Sequence, residues 1–487
     1  MHDSPNFFRG NHVPCTCCNK VIPDPLIFQV SISIKQILHR TTGKIMKHRT
    51  IDASHLEGGG QVVRIAATLS ALTSVPITLT NIRGNRSGGG GLKGQHLTSV
   101  QWLAKACNAR VEGLELRSRT LVFEPGLGNV SRKERDLLVG VCNLEDGTQA
   151  LRINISLETN GAATLVLQTL LPYLLFCPPT HAALGRSSTP ILLTIEGGTN
   201  VPLSPSIDYL LHVFSPNLVR FGLDPIRLIS LSRGYTTGAR SALGSVSLLI
   251  QPLVNETTLA PFSFLSKPPQ PPQSDEKNPA LQSIEIHILA PTTAAIDALR
   301  SSTLTLIQDT FFPGLLSGKP KPVGSAPRVQ VTTSSSNDAS NKRFYLLLVG
   351  IQHSGFRIGA DWLYDGKGLR SGGTERKSKR GGADGEPADV LSSVAREMAA
   401  QVVGELGNAL LEGREVDQWM EDQLVVFRSL ATADALPEGT VSSKIEQGDG
   451  VPKPSLHTIT AQWIAQELLG VEFDQSGACK GVGLVAV

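Results

Sequence analysis

Leu56-Glu57-Gly58-Gly59-Gly60-Gln61-Val62-Val63-Arg64 is the stretch whose reading decides the fold. Three glycines let a backbone approach closely, and Glu57 stands just before them. Val62, Ile65, Leu69 and Leu72 recur at helical spacing, which predicts a helix from about Gly60 to Thr73. Gln61 and Arg64, three residues apart, fall on one face of it. A glycine turn opening a helix makes an anion site from uncapped N–H groups and the positive helix end. An ordinary structural turn has the same pattern, so the segment alone leaves both readings open.

Outward from this helix a unit unfolds. A strand is expected at Ile77–Ile82, a helix at Gln95–Cys107, and strands at Arg110–Leu116 and Thr120–Glu124. The order recurs with a helix at Ala163–Phe176, a strand at Ile191–Glu196, a helix at Ile207–Phe221, and strands at Ile226–Ser232 and Ser245–Gln251. It recurs more weakly with helices at Asp417–Ala433 and Thr458–Leu469 and strands near Val441–Ile445, Val471–Phe473 and Gly481–Val487. The repetition is one of pattern, since the sequences differ. Residues 46–252 thus hold two copies and residues 413–487 a third. Between them, residues 253–412 read as a smaller inserted α/β domain, with a βα pattern at Gln282–Leu299, a strand at Phe344–Gln352 and a helix at Ala388–Leu411. Its proline-rich Ser266–Asn278, serine-rich Thr332–Lys342 and glycine-rich, basic Gly366–Glu386 are expected to be disordered surface loops. Residues 1–45 lack periodicity and a secretory signal, and read as a flexible extension, with Met46 a candidate start.

The bulk numbers narrow the class. At 487 residues and 40% hydrophobic, the chain has room for several domains with real cores. A net charge of +3 does not suggest a protein coated in nucleic acid, although a local basic patch stays open. The run Arg376-Lys377-Ser378-Lys379-Arg380 fits a nuclear address, an RNA contact or a solvated loop. The longest apolar run, around Leu165 to Cys177, is interrupted by Gln168, Thr169 and Pro172, so no membrane span is expected. Of the 7 cysteines only Cys15, Cys17 and Cys18 cluster, without a second ligand pair, which argues against both a zinc site and a disulfide scaffold.

After the first strand, Ile82-Arg83-Gly84-Asn85-Arg86 leads into four glycines and then Leu92-Lys93-Gly94-Gln95-His96. Two guanidinium forks beside a glycine loop suit phosphates. Taken with the opening stretch, Ile82-Arg83-x-x-Arg86 and Gln95-His96-Leu97-Thr98 resemble the RNA 3′-terminal phosphate cyclases. The resemblance continues in order through Thr159-Asn160-Gly161-Ala162, Leu167–Pro172, Gly197-Gly198-Thr199-Asn200-Val201-Pro202, Pro205–Tyr209, Arg233-Gly234-Tyr235, Val416-Asp417, Asp422-Gln423-Leu424 and Leu456-His457-Thr458. It spans about residues 47–475.

The resemblance implies three two-helix, four-stranded-sheet units about a pseudo-threefold axis. It implies ATP-dependent conversion of an RNA 3′-phosphate to a 2′,3′-cyclic phosphate, through a covalent histidine–AMP and an RNA adenylate. His457 matches the nucleophile. A position just before a helix, at its positive end, also disfavours protonation, and a neutral imidazole is what attack on phosphorus requires. Glu57 would ligate Mg²⁺ or Mn²⁺; Gln61, Arg64, Arg86 and Gln95 would hold phosphates or the metal-bound nucleotide. Asp422 and Gln423 would lie near the nucleotide, and Trp419 would stack on adenine unless it is simply a helix-core residue. The all-glycine loop after Arg86, the broken Thr236-Thr237-Gly238-Ala239-Arg240 block and the enlarged insert depart from the family pattern, and bear on RNA access. The expected partners are ATP and an RNA with a 3′-phosphate, in the nucleus or cytoplasm. The competing reading is a non-catalytic cyclase-like protein of pre-rRNA processing. Such relatives lack the histidine, so the presence of His457 favours the enzyme. A carbohydrate-pathway transferase built on the same unit lacks the His457 pattern.

Overall fold

Val62, Val63, Leu69 and Leu72 are all but fully buried, and Gly60–Thr73 is a helix, α1. Its N-cap is Gly59, and no side chain caps it. Each fully buried Val or Leu is worth roughly 1.5–3 kcal/mol over exposure, so packing rather than capping holds this helix. The computed structural model describes residues 47–86, 89–129, 131, 133–134, 137–157, 161–181, 184, 189–235, 243–262, 281–311, 328–335, 343–364, 387–432, 453–474 and 477–487.

The first unit runs β1 (Arg49–Asp52), α1, β2 (Ile77–Thr80), α2 (Gly94–Ala106), β3 (Arg110–Glu112) and β4 (Leu121–Glu124). Its sheet has the order β1-β2-β4-β3, with β1 and β2 parallel and the other pairs antiparallel. The second unit runs β5 (Gly140–Asn143), β6 (Gln149–Ser156), α3 (Ala163–Phe176), β7 (Ile191–Gly197), a helical run over 207–221, β8 (Arg227–Ser232) and β9 (Gly244–Ile250). Its sheet order, β5-β6-β7-β9-β8, repeats the first plan after an added edge strand, again with one parallel pair, β6 and β7. The two βαβαββ units share one apolar core with the C-terminal helices α6 (Gln418–Leu430) and α7 (Leu456–Leu469).

Residues 281–411 build a third sheet with a separate apolar cluster. Strands β10 (Leu281–Ala290), β11 (Arg328–Ser335), β12 (Phe344–Gln352) and β13 (Arg357–Tyr364) lie in the order β11-β10-β12-β13, with α4 (Thr293–Phe311) and α5 (Pro387–Leu411) packed on them. Residues 332–335 of the serine-rich stretch belong to β11, paired in parallel with β10, so the loop expected over Thr332–Lys342 is overturned there. The parallel pairing with β10 and the packing of Val331 on this apolar cluster outweigh the serine content.

The other departures are local. The helix expected over Ile207–Phe221 is segmented: α-helical Ile207–Tyr209, π-helical Leu210–Phe214, α-helical Ser215–Leu218 and 3₁₀ Val219–Phe221. In the C-terminal region, Val471–Phe473 and Gly481–Val487 are not strands; they make only the isolated bridges Phe473↔Cys479 and Thr258↔Val485. Backbone bonds such as Leu484 N to Leu430 O at 2.8 Å tie that tail to the end of α6 instead. The expectations for residues 1–45, Thr159-Asn160, Thr236–Arg240, Ser266–Asn278, Gly366–Glu386 with its basic run, and Val441–Ile445 lie outside the described residues. No described helix is long and apolar enough to cross a membrane.

Candidate active site

The Ser455 hydroxyl accepts a hydrogen bond from Thr458 N at 3.1 Å and so starts α7 two residues before His457. His457 is therefore inside the first helical turn, not ahead of it as the sequence suggested. The positive end of α7 still lies beneath it. Helix α7 packs on α1, and Glu57 N donates to Thr460 Oγ1 at 3.2 Å. This contact brings the two ends of the described chain together.

His457 Nδ1 lies 3.1 Å from Gln61 Oε1, and Gln61 Nε2 donates to Asp422 Oδ2 at 2.9 Å. With its amide group donating to Asp422, Gln61 presents an oxygen that only accepts. The Nδ1 atom then carries the imidazole proton, and Nε2 keeps its lone pair. Partial burial, with the charges of Arg64 and Arg86, holds the His457 pKa below its ordinary value. Neutral, oriented and with Nε2 unprotonated, His457 has the form of a nucleophile.

Asp422 behaves as a buried acid. Burial pushes it up to about 7, Arg64 pulls it down, and Asp417 and Glu421 add repulsion. Burial likewise brings Arg64 down to about 10 despite Asp422. Both partners move toward neutrality, so desolvation outweighs their attraction. Asp422 Oδ1 is buried with no hydrogen-bond partner among the described residues.

Gly58 has φ +59°, which glycine adopts without strain, and its Cα faces the Asn85 side chain and Ser54 O. The Glu57 carboxylate folds against Gly59 and pairs with Arg86, so the anion now over the glycine turn is the protein's own. Glu57 Oε2 is buried and unpartnered among the described residues. A side-chain Cβ at Gly60 would lie 2.5 Å from His96 Nε2 and 3.3 Å from Arg64. His96 is buried, accepts from Lys93 N at 3.1 Å through Nδ1, and is pushed down to about 3 by burial and three neighbouring cations. It is a neutral wedge beneath the turn, and sequence reasoning passed over it. Its quoted place beside Gln95 was the only available signal.

A cleft of about 430 Å³ opens beside His457 and is also lined by Arg86, Trp419, Pro202, Tyr345 and Asp361. Trp419 is 42% exposed, so it is not a core residue, and its ring centroid lies 6.2 Å from that of His457. Gln423 bonds Trp419 O at 2.6 Å and, with Gln61, Arg64 and Asp422, lines a smaller cavity behind the histidine. Gln95 lines neither; its Oε1 accepts from Ala162 N at 3.1 Å and so ties α2 to the turn before α3. Arg83 is turned to Gly91 O at 3.5 Å.

The cleft floor is braced by polar contacts. Arg233 grips Asp208 with two bonds of 2.7 Å, and Asn200 donates to the same carboxylate at 3.0 Å. Burial alone would raise Asp208, but Arg233, with Asn200 and His212, more than offsets it. Asp417 caps α6 through Trp419 N and Met420 N, accepts from Tyr209 O–H at 2.5 Å, and accepts from Gly359 N of β13 at 2.9 Å. One carboxylate therefore sets the height of Trp419 and joins α6, the second unit and the third sheet.

A sequence model of the RNA 3′-terminal phosphate cyclase family matches residues 55–475. The chain is 38% identical over 200 residues to an RNA 3′-terminal phosphate cyclase of Methylococcus capsulatus, an alignment covering 41% of the chain and 48% of the relative. It is 40% identical over 185 residues to one of Hyperthermus butylicus, covering 38% of the chain and 43% of the relative. In these two alignments the chain spans less than half of each relative. A third, of Methanosarcina mazei, is 28% identical over 423 residues, covering 87% of the chain and 95% of the relative.

Proposed function

The chain belongs to the RNA 3′-terminal phosphate cyclase family, and from that premise we propose that it converts an RNA 3′-phosphate, with ATP, into a 2′,3′-cyclic phosphate, AMP and pyrophosphate. The observation that carries this reading is the relay Asp422–Gln61–His457, which leaves one ring nitrogen of a neutral histidine as a nucleophile. A non-catalytic cyclase-like role has no use for it.

In the first step His457 Nε2 attacks the α-phosphorus of ATP. An N–P bond forms, the bond from Pα to the bridging oxygen breaks, and pyrophosphate leaves. Gln61 Oε1 keeps the Nδ1 proton and so offsets the charge that grows on the ring. An oxygen of the RNA 3′-phosphate then displaces His457 from phosphorus, giving the RNA adenylate. The 2′-hydroxyl next attacks the RNA 3′-phosphorus, loses its proton, and expels AMP. Each step trades one phosphoryl bond for another, so positioning and charge neutralisation do most of the work.

Arg86 lines the cleft with His457 and would turn from Glu57 to the triphosphate, while Trp419 would stack on the adenine. Glu57 Oε2, buried and unpartnered among the described residues, fits a divalent ion that takes one or two carboxylates plus phosphate oxygens. Bound there, Mg²⁺ or Mn²⁺ supplies charge neutralisation on the phosphates. Arg64 and Gln423 act from behind the histidine.

For the fold, we extend the two βαβαββ units to a third built on α6 and α7 about a pseudo-threefold axis, with residues 253–412 as an inserted domain. The repeated strand order supports this reading. Nuclear residence is part of the same proposal and rests on the basic run at 376–380.

The test is labelling with α-labelled ATP and Mg²⁺. Acid-labile, base-stable label is expected on wild type and none on His457→Ala. An RNA with a 3′-phosphate should then give the cyclic end, and one with a 2′-deoxy terminus should not. Label on the alanine variant, or a cyclic end from the deoxy RNA, refutes the mechanism.

A further inference from the structure

The third sheet meets the second unit at a group of side chains that the reaction does not use. Glu285 and His287, two apart in β10, project from one face of the strand. Opposite them, His212 comes from the π-helical segment Leu210–Phe214. One candidate ligand atom from each of the three residues can be chosen so that all lie within 4.8 Å of one another. His287 Nε2 is 3.3 Å from Glu285 Oε2, close to the ~3.4 Å ligand spacing that metal bonds of ~2.0–2.1 Å give a tetrahedron. The two imidazoles stack with centroids 3.8 Å apart and ring planes 27° apart. All three residues are half-buried.

The π-helix is the second observation. A π-helical turn inside an α-helical run carries an extra residue, is rare, and gathers at functional positions. Here it lies between the α-helical segments Ile207–Tyr209 and Ser215–Leu218, at the turn that carries His212 toward the strand. We propose that His212, Glu285 and His287 form a binding site for a divalent transition metal of the zinc class, with one coordination position left to water. Two imidazoles and a carboxylate are a donor set for such ions and a poor one for Mg²⁺, which prefers oxygen. The cation now at this corner is Arg357, whose guanidinium donates to His212 O at 3.1 Å and to Glu285 Oε2 at 3.4 Å. Metal uptake swings Arg357 aside and opens the stacked rings until both lone pairs converge. Asp208, which also acts on His212, offsets part of the added charge. The bound ion fastens β10 to the second unit across the boundary over which the cleft is built.

The experiment uses the full chain, stripped with a chelator and desalted. Titration with Zn²⁺ against a competing indicator should show one site that withstands excess Mg²⁺, and Co²⁺ should give the strong visible bands of a near-tetrahedral site. Glu285→Ala and His287→Ala should each weaken Zn²⁺ binding by more than about 100-fold, beyond the 10–100-fold typical of losing a group that merely orients a ligand. Arg357→Ala, which removes the competing cation, should tighten binding by about tenfold, a gain that misfolding does not imitate. Glu57→Ala should leave this site unchanged. The proposal is overturned if wild type retains no stoichiometric Zn²⁺ or Co²⁺, if either ligand variant binds as wild type does, or if Arg357→Ala weakens binding.

Discussion

Gln61→Leu separates two roles for a residue that the sequence would place on the nucleotide. Leucine has a similar span but neither accepts from His457 Nδ1, 3.1 Å away, nor donates to Asp422 Oδ2, 2.9 Å away. A net intramolecular hydrogen bond is worth ~0.5–1.5 kcal/mol, and a buried polar group left without its partner costs ~1–3 kcal/mol. The cost at Asp422 is present before and during attack and so falls on folding stability. The bond to His457 Nδ1 strengthens as the ring gains charge, and a hydrogen bond to a charged group is worth ~1.5–3 kcal/mol; at ~1.4 kcal/mol per decade its loss slows attack about 10- to 150-fold. The assay is quenched single-turnover labelling of His457 at saturating ATP, across pH. If Gln61 orients the histidine, the limiting rate falls; if it only holds phosphate, more ATP restores the rate. Gln61→Glu adds a pH signature. A carboxylate at Nδ1 favours the imidazolium, so the His457 pKa rises from its depressed position. Wild type should lose labelling only below the ordinary histidine range, whereas the Glu variant should already be impaired near neutrality and recover as pH rises. A Leu variant within about twofold of wild type at saturating ATP, together with an unmoved pH limb in the Glu variant, refutes the relay.

Three further outcomes follow from the same geometry. Asp422 has its folded pKa raised from 3.8 to about 7, so the stability it contributes is present below 3.8 and is lost as pH rises through 7. Asp422→Asn should flatten that fall, raising unfolding stability at pH 8 by at most ~4 kcal/mol, as urea titrations at pH 5 and 8 would show; an unchanged slope counts against the assignment. Gly60→Ala drives a methyl into the His96 ring, 2.5 Å away; the overpacking should cost ~1–3 kcal/mol in urea unfolding, and a neutral result means that His96 is not fixed. Trp419→Ala should weaken ATP binding about tenfold in equilibrium dialysis with little change in the labelling rate at saturation, given ~0.5–1.5 kcal/mol for an aromatic stack beyond area; an unaltered affinity removes Trp419 from the adenine site.

The helices were legible where packing demanded a full apolar stripe. Gly60–Thr73 and Ala163–Phe176 match their expected bounds to the residue because nearly every turn is buried. Strand β6 was equally legible in Leu151, Ile153 and Ile155 alternating with Arg152, Asn154 and Ser156, with Asp146-Gly147 marking the hairpin turn before it, yet it was passed over. Strand β1, four residues long, carries too little periodicity to find. The π-helical turn has no sequence signature, since hydrogen-bond slippage leaves composition unchanged. At the site, the residue types of Glu57, Gln61, Arg64, Asp422 and His457 were readable through family resemblance, and their chemistry suits charge and phosphate. Their partnerships were not. That Glu57 faces Arg86, that Gln61 holds the histidine, and that Gln95 is spent on the backbone of Ala162 are facts of three-dimensional proximity.

The bond between Gln61 and His457 closes a gap of 396 residues. A ribosome adding about 5–20 residues per second needs roughly 20–80 s to cross that gap. Throughout that interval the glycine turn, the carboxylate and both arginines exist without the atom that reacts. If His457 is the nucleophile, as proposed, an unfinished or prematurely terminated chain therefore has no atom to charge with AMP. Under the proposed reaction His457 joins the site only when α7 docks on α1, so the order of synthesis would itself guard against idle adenylation.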